Sequence, residues 1–357
     1  MLNNMLPKYS SVALAAGILM NISTLVNAAP VSASGTASPS PRNEITLKTG
    51  WRFHLGEAEG ASAVAFDDSA WETVCVPHDW AITGPFSIEN DLQTVQVIQN
   101  METKATLKTG RTGGLPYAGI GWYRTEFSVP DGVKAELLFD GAMSEARVYV
   151  NGNEVCFWPY GYSPFHCDVT PYLNAGGTNV LAVRLENLPS SSRWYPGAGL
   201  YRNVHLVCTS PKAHIPVWGT FVTTPFVSEE MASVSLDITV ESDLDNVDIE
   251  YITDIFSPEG DKVASRRSVS LYHKGDKHIQ KFSVESPKLW SPEHPHLYKA
   301  LTKIIVGGKV NDEYETRFGI RSIEFIPEKG FYLNGEHRKF KGVCNHHDLG
   351  PLGAAIS

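Results

Sequence analysis

The chain has 357 residues, 42% of them hydrophobic and 19% charged, with a formal net charge of −9. That acidity excludes nucleic acid as a partner, because phosphate binding needs a basic face; nor is there a polybasic run to hold an anionic membrane surface. A neutral or weakly charged partner fits better, and the length allows two or three domains with separate cores.

In chain order, residues 1–28 read as an export signal. Lys8 lies in the n-region, Val12 to Met20 form an apolar run, and Val26-Asn27-Ala28 resembles a small-residue cleavage site. The run is far shorter than the ~20 residues a membrane span needs, so no membrane anchor is expected, and the destination is the periplasm or the medium. Residues 29–43, rich in Ser, Pro and Ala, read as a flexible linker.

From Glu44 the pattern is that of β structure. Trp122 to Val129 reads as a strand ended by Pro130-Asp131-Gly132. Arg147 to Val150 leads through Asn151-Gly152, a two-residue hairpin signal, into Glu154 to Phe157. Thr178 to Leu185 alternates with Leu181, Val183 and Leu185 on one face. Short strands without a long amphipathic helix predict a sandwich or jelly roll over 44–211. A second unit, 212–318, has the size of an immunoglobulin-like β-sandwich. In it Val234, Leu236, Ile238 and Val240 alternate with polar residues, and Val247 to Phe256 and Lys277 to Val284 supply further strands. After Gly319 the texture changes: Phe331 to Glu336 reads as a hairpin, and Phe340 to Cys344 as a strand that ends in a polar cluster.

Five cysteines (Cys75, Cys156, Cys167, Cys208 and Cys344) show no zinc spacing. Cys156 and Cys167 could pair in an oxidising compartment, although an odd total leaves at least one thiol free; alternatively, the cysteines are simply small buried apolar residues. No motif specifies an oligomeric state.

Seven short strings then occur in order: Pro77-His78-Asp79-Trp80, Gly121-Trp122-Tyr123-Arg124, Gly199-Leu200-Tyr201-Arg202-Asn203-Val204, Leu289-Trp290-Ser291-Pro292 with Pro295-His296-Leu297-Tyr298, Phe318-Gly319-Ile320-Arg321, Leu333-Asn334-Gly335, and Lys341-Gly342-Val343-Cys344-Asn345-His346-His347-Asp348. Together they resemble the N-terminal half of glycoside hydrolase family 2, and are most similar to its exported bacterial β-galactosidases. The resemblance implies a mainly β chain with a jelly-roll sugar-binding domain, an immunoglobulin-like sandwich and, over 319–357, the start of a TIM barrel.

It also implies a retaining hydrolase of terminal β-galactosides, with a β-linked saccharide as partner. A β-glucuronidase, a β-mannosidase or a non-catalytic carbohydrate-binding protein are the alternatives. Retaining glycosidases hold two carboxyls ~5–5.5 Å apart, and in the family both are glutamates on later barrel strands. Here the last glutamate is Glu336 and only Asp348 is acidic after His347, so no catalytic residue is assigned and the chain alone is expected to be inactive. What carries over is part of a substrate site. His346 matches a family histidine that contacts sugar hydroxyls, and His347 and Asp348 adjoin it at the C-terminal end of the expected strand, where barrel residues face the active site. Arg193 and Trp194, in the loop Ser192 to Gly197, could offer a guanidinium and an aromatic face to a sugar. Asp79 reads chiefly as a residue that holds its loop, and Trp122 and Trp290 as core. No cofactor or metal is expected from these residues; some family members use magnesium or sodium, through ligands expected elsewhere.

Overall fold

The computed structural model describes residues 41–90, 92–109, 112–192, 194–343 and 353–355. The first group of strands is β1 (Asn43–Thr46), β2 (Trp51–Leu55), β3 (Glu72–Val74), β4 (Leu92–Val95), β5 (Thr106–Thr109), β6 (Gly119–Ser128), β7 (Lys134–Phe139), β8 (Ala146–Val150), β9 (Asn153–Trp158), β10 (Phe165–Asp168), β11 (Thr178–Asn187) and β12 (Val204–Thr209). A four-stranded sheet, β1-β12-β7-β10, packs on a six-stranded sheet, β3-β2-β6-β11-β8-β9, and β4 pairs with β5 alone. Leu137, Phe139 and Leu206 of one sheet meet Val148, Leu181 and Leu185 of the other in a shared core, which is the jelly roll the sequence predicts.

The hairpin at Asn151-Gly152 forms with both residues at positive φ, +50° and +85°, as a type I′ turn requires. Val150 pairs with Asn153, and a bulge follows at Val148/Tyr149. In β11 the alternation is only half the story, because Asn179 to Val183 are all buried. This strand is central in its sheet, and its outer face is roofed by the excursion between β2 and β3. There Ala61 packs on Trp122 and Ala182, and the buried Arg124 donates to Asp68 Oδ2 at 2.7 Å.

The second group is β13 (Thr220–Val227), β14 (Met231–Thr239), β15 (Asp248–Phe256), β16 (Lys262–Leu271), β17 (Lys277–Glu285), β18 (Tyr298–Val306) and β19 (Lys309–Phe318). The sheets β13-β14-β17 and β16-β15-β18-β19 enclose a separate core that includes Val234, Leu236, Ile238, Tyr251 and Ile304. Seven antiparallel strands in three-plus-four sheets make an immunoglobulin-like sandwich. Strand β14 buries Ala232, Val234, Leu236 and Ile238 on one face, as its alternation demands.

One residue just before β1 ties the two groups. Arg42 Nε and Nη2 lie 3.0 and 2.9 Å from the two carboxylate oxygens of Asp312 on β19. Asp312 is fully buried and also accepts from Ile215 N at 2.7 Å. The Arg42 guanidinium lies over the Tyr314 ring, 4.7 Å from its centroid.

Beyond Gly319, β20 (Ile323–Ile326), β21 (Gly330–Leu333) and β22 (Glu336–Arg338) form a three-stranded sheet. The expected hairpin turns at Asn334-Gly335, again with positive φ at both residues. The strand expected from Phe340 differs: residues 340–343 carry no strand, and Cys344 lies outside the described residues. Phe340 and Val343 are 76% and 84% exposed. A barrel strand needs neighbours for its backbone groups and faces, and among the described residues nothing pairs with this segment, although Phe340 rests on the Phe331 ring.

Candidate functional site

The loop after β3 builds a buried polar node in the jelly roll. His78 N donates to Leu200 O at 2.8 Å and Trp80 N to Ala198 O at 3.1 Å, so Pro77 to Trp80 lies along the segment 198–200. Gly199 permits that approach. It sits at φ +115°, and a Cβ there would stand 2.7 Å from His78 O and collide with the Tyr123 hydroxyl.

Asp79 is 1% exposed, and its carboxylate is the centre of the node. Oδ1 accepts from Ala81 N at 3.1 Å, capping the 3-10 turn Trp80–Thr83, and from the Tyr195 hydroxyl. Oδ2 accepts from Ala354 N at 2.8 Å. Such donors make burial of a carboxylate tolerable. The carboxyl therefore joins three stretches distant in sequence: its own loop, the loop 188–198, and the segment 353–355. Gly353 sits at φ +58°, and a Cβ there would strike Asp79 Oδ2 and Ile82.

Beside it, burial pushes the His78 imidazole down to about 4. The Tyr123 hydroxyl is hydrogen-bonded to His78 Nδ1 at 2.8 Å.

The loop 188–198 carries the aromatic face. Trp194 is half-buried, and its Nε1 donates to the Tyr162 hydroxyl at 3.0 Å. Ser192 Oγ donates to Trp194 O at 2.5 Å, and Gln93 Nε2 from β4 donates to Ser192 O at 2.6 Å. Tyr160, 58% exposed, stands edge-on to Tyr162 with ring centroids 5.6 Å apart. Trp194, Tyr162 and Tyr160 thus form a stepped aromatic surface backed by a polar framework. Such a surface can stack on the apolar C–H face of a pyranose while its hydroxyl and indole edges meet sugar hydroxyls.

Of the residues singled out from sequence, Trp194 has this setting, whereas Arg193, His346, His347 and Asp348 lie outside the described residues. Their neighbours in sequence do meet: Tyr195 and Ala354 share the Asp79 carboxyl. Asp79 has the loop-holding role the sequence suggested. Trp122 is buried with its Nε1 on Glu57 at 2.8 Å, and Trp290 is half-buried under the Arg321 guanidinium. Sequence reasoning passed over Tyr160, Tyr162 and Gln93. The signal was there for the first two, an aromatic-Gly-aromatic turn bounded by Pro159 and Pro164; Gln93 offered none. Among the described residues no group of three His, Cys, Asp or Glu could hold a metal ion, and no helix is long and apolar enough to cross a membrane.

Comparison with known proteins bears on what such a surface is for. Residues 45–210 match the model of the glycosyl hydrolases family 2 sugar binding domain, and residues 213–321 match the model of glycosyl hydrolases family 2. A β-galactosidase of Bacteroides ovatus, BoGH2A, is 39% identical over 331 residues, covering 91% of this chain and 37% of the relative. A putative β-glucuronidase of Formosa agariphila is 36% identical over 318 residues, 88% of this chain and 28% of the relative. The crystal structure of a glycosyl hydrolase family 2 member from Bacteroides cellulosilyticus superposes with a TM-score of 0.77 at 33% identity, over 88% of this chain and 40% of that one. A Bacteroides uniformis β-glucuronidase covalently bound to cyclophellitol-6-carboxylate aziridine gives 0.72 at 27% identity, over 88% and 37%. The chain thus spans well under half the length of each.

Proposed function

As the chain belongs to glycosyl hydrolases family 2, we propose that it supplies the sugar-binding and sandwich part of an exported, retaining hydrolase of terminal β-galactosides. The 39% identity to a β-galactosidase along 91% of the chain carries this reading. In it, residues from 319 onward lead into a catalytic barrel that holds the two carboxyls of a double displacement. Covalent capture of the B. uniformis relative by a cyclophellitol aziridine supports a nucleophilic carboxylate in such a barrel.

The roles within this chain follow from chemistry. Trp194 and Tyr160 stack against a sugar face, Arg193 donates to hydroxyls or to an acidic substituent, and His346, His347 and Asp348 bind hydroxyls of the terminal residue. Asp79 holds its own loop, Tyr195 and Ala354 together without touching substrate.

A second reading, cleavage of β-glucuronides, is favoured by the 36% identical relative named for that activity and by Arg193, whose guanidinium would suit a uronate carboxylate. Initial rates of the enzyme read from the whole gene, on 4-nitrophenyl β-galactoside and β-glucuronide in parallel, separate the two. A kcat/KM at least about tenfold higher for the galactoside, some 1.4 kcal/mol of transition-state discrimination, is expected. The reverse ratio would transfer the proposal to uronides.

A further inference from the structure

Two thiols away from the aromatic surface meet at one edge of the jelly roll. Strand β9 is the last strand of the six-stranded sheet and β10 the last of the four-stranded sheet. No backbone ladder joins them, so only side chains close this side of the sandwich. The ring pair Trp158–Phe165, stacked with centroids 5.8 Å apart and planes at 17°, fixes how the strands face each other. Two residues further along each strand, the same alternation sets Cys156 opposite Cys167. Each thiol is the largest influence on the other's acidity, as neighbouring groups are. Cys167 is 4% exposed and Cys156 half-buried, and both pack on the main core.

We propose that Cys156 and Cys167 are a redox pair, oxidised to a disulfide that staples the two sheets, with a low-molecular-weight or protein disulfide as the oxidant. Their proximity makes the two thiols unequal: it favours the thiolate of Cys156 and disfavours that of Cys167. Cys156 Sγ attacks one sulfur of the oxidant and expels the other as a thiolate. Cys167 then gives up its proton and attacks Cys156 Sγ in the mixed disulfide, which expels the second thiolate. Two protein thiols and one disulfide become one protein disulfide and two thiols, so electrons and protons balance. The bridge closes a loop of about a dozen residues, and a loop of that size shifts the unfolding equilibrium on the order of 100-fold. An exported chain would meet such oxidants.

The test uses the wild-type chain, equilibrated with excess oxidised glutathione, alkylated while denatured, digested without reduction and analysed by mass spectrometry. The expected result is one species joining the peptides of Cys156 and Cys167, lighter by two hydrogens than their sum. It should be accompanied by a roughly 100-fold shift in the unfolding constant that reductant reverses. The Cys156→Ser chain should show no dependence on reductant. Recovery of both cysteines as separate alkylated peptides, or joined instead to Cys75 or Cys344, would overturn the proposal.

Discussion

The buried Asp79 carboxyl accepts from Ala81 in its own loop, from the Tyr195 hydroxyl and from the Ala354 amide, donors on different stretches of chain. Asp79→Asn keeps the size but replaces one acceptor oxygen by an N–H group, which meets either the Ala354 amide or the Tyr195–Ala81 pair donor to donor. The expected cost is about 2–3 kcal/mol, read as a lower midpoint in urea denaturation; an unchanged midpoint would remove Asp79 from its central position. His78 sets a pH dependence beside it. Its folded value is about 4 against an ordinary 6.5, so between those limits the unfolded chain takes up a proton that the native chain refuses. This contribution is fully present above pH 6.5 and is lost as the pH falls toward 4, an effect of about 3 kcal/mol. His214 and His278 are pushed down by burial too, so the comparison that isolates His78 is with His78→Gln. The variant should lose less stability than the wild type between pH 7 and pH 4.5, and equal losses would contradict the assignment. At the aromatic surface, Trp194→Ala is expected to raise KM of the whole enzyme about tenfold or more while the urea midpoint of this chain moves little; an unchanged KM would take Trp194 out of the sugar site.

Elements were legible where their cause is local. Asn151-Gly152 and Asn334-Gly335 specify their turns through the positive φ those residues tolerate, and the alternation in 231–239 fixes the buried face of β14. Elements whose cause is remote were not. The burial of both faces of β11 comes from Ala61 in an excursion some 120 residues away in sequence, and no periodicity reports it. Arg42 lies in a stretch that composition marks as linker, yet its partner Asp312 is 270 residues distant. Residues 340–343 have the apolar content of a strand but lack neighbours among the described residues, and propensity alone did not form one. The clamp gives the sharpest test at this scale. Arg42→Ala leaves the Asp312 carboxylate buried with its charge uncompensated, and a destabilisation of about 3 kcal/mol or more is expected. A loss under about 1 kcal/mol in chemical denaturation would show the pair to be no stronger than an exposed one.

At the scale of the molecule, two antiparallel β domains follow one another, and Tyr195 and Ala354 both bond to Asp79 in the first. The family was readable because its motifs are residues that shape loops: Gly199 admits His78 and Tyr123, and Asp79 binds its loop to two others. Such residues leave a trace in sequence because few substitutes fit. The aromatic surface was half readable. Trp194 announced itself within a polar loop, whereas Tyr162 supplies its hydrogen bond from a turn 32 residues earlier. The choice of sugar left the weakest trace, since similar chains bear the names of β-galactosidases and β-glucuronidases alike. The central claim is that this chain binds and frames a sugar whose bond is cut by carboxyls of a barrel. The most direct measurement is hydrolysis of 4-nitrophenyl β-galactoside by the polypeptide of residues 1–357, side by side with the enzyme read from the whole gene. Turnover by the whole enzyme and none by the shorter polypeptide is the predicted result; turnover by residues 1–357 alone would place the catalytic carboxyls within this chain and contradict the account.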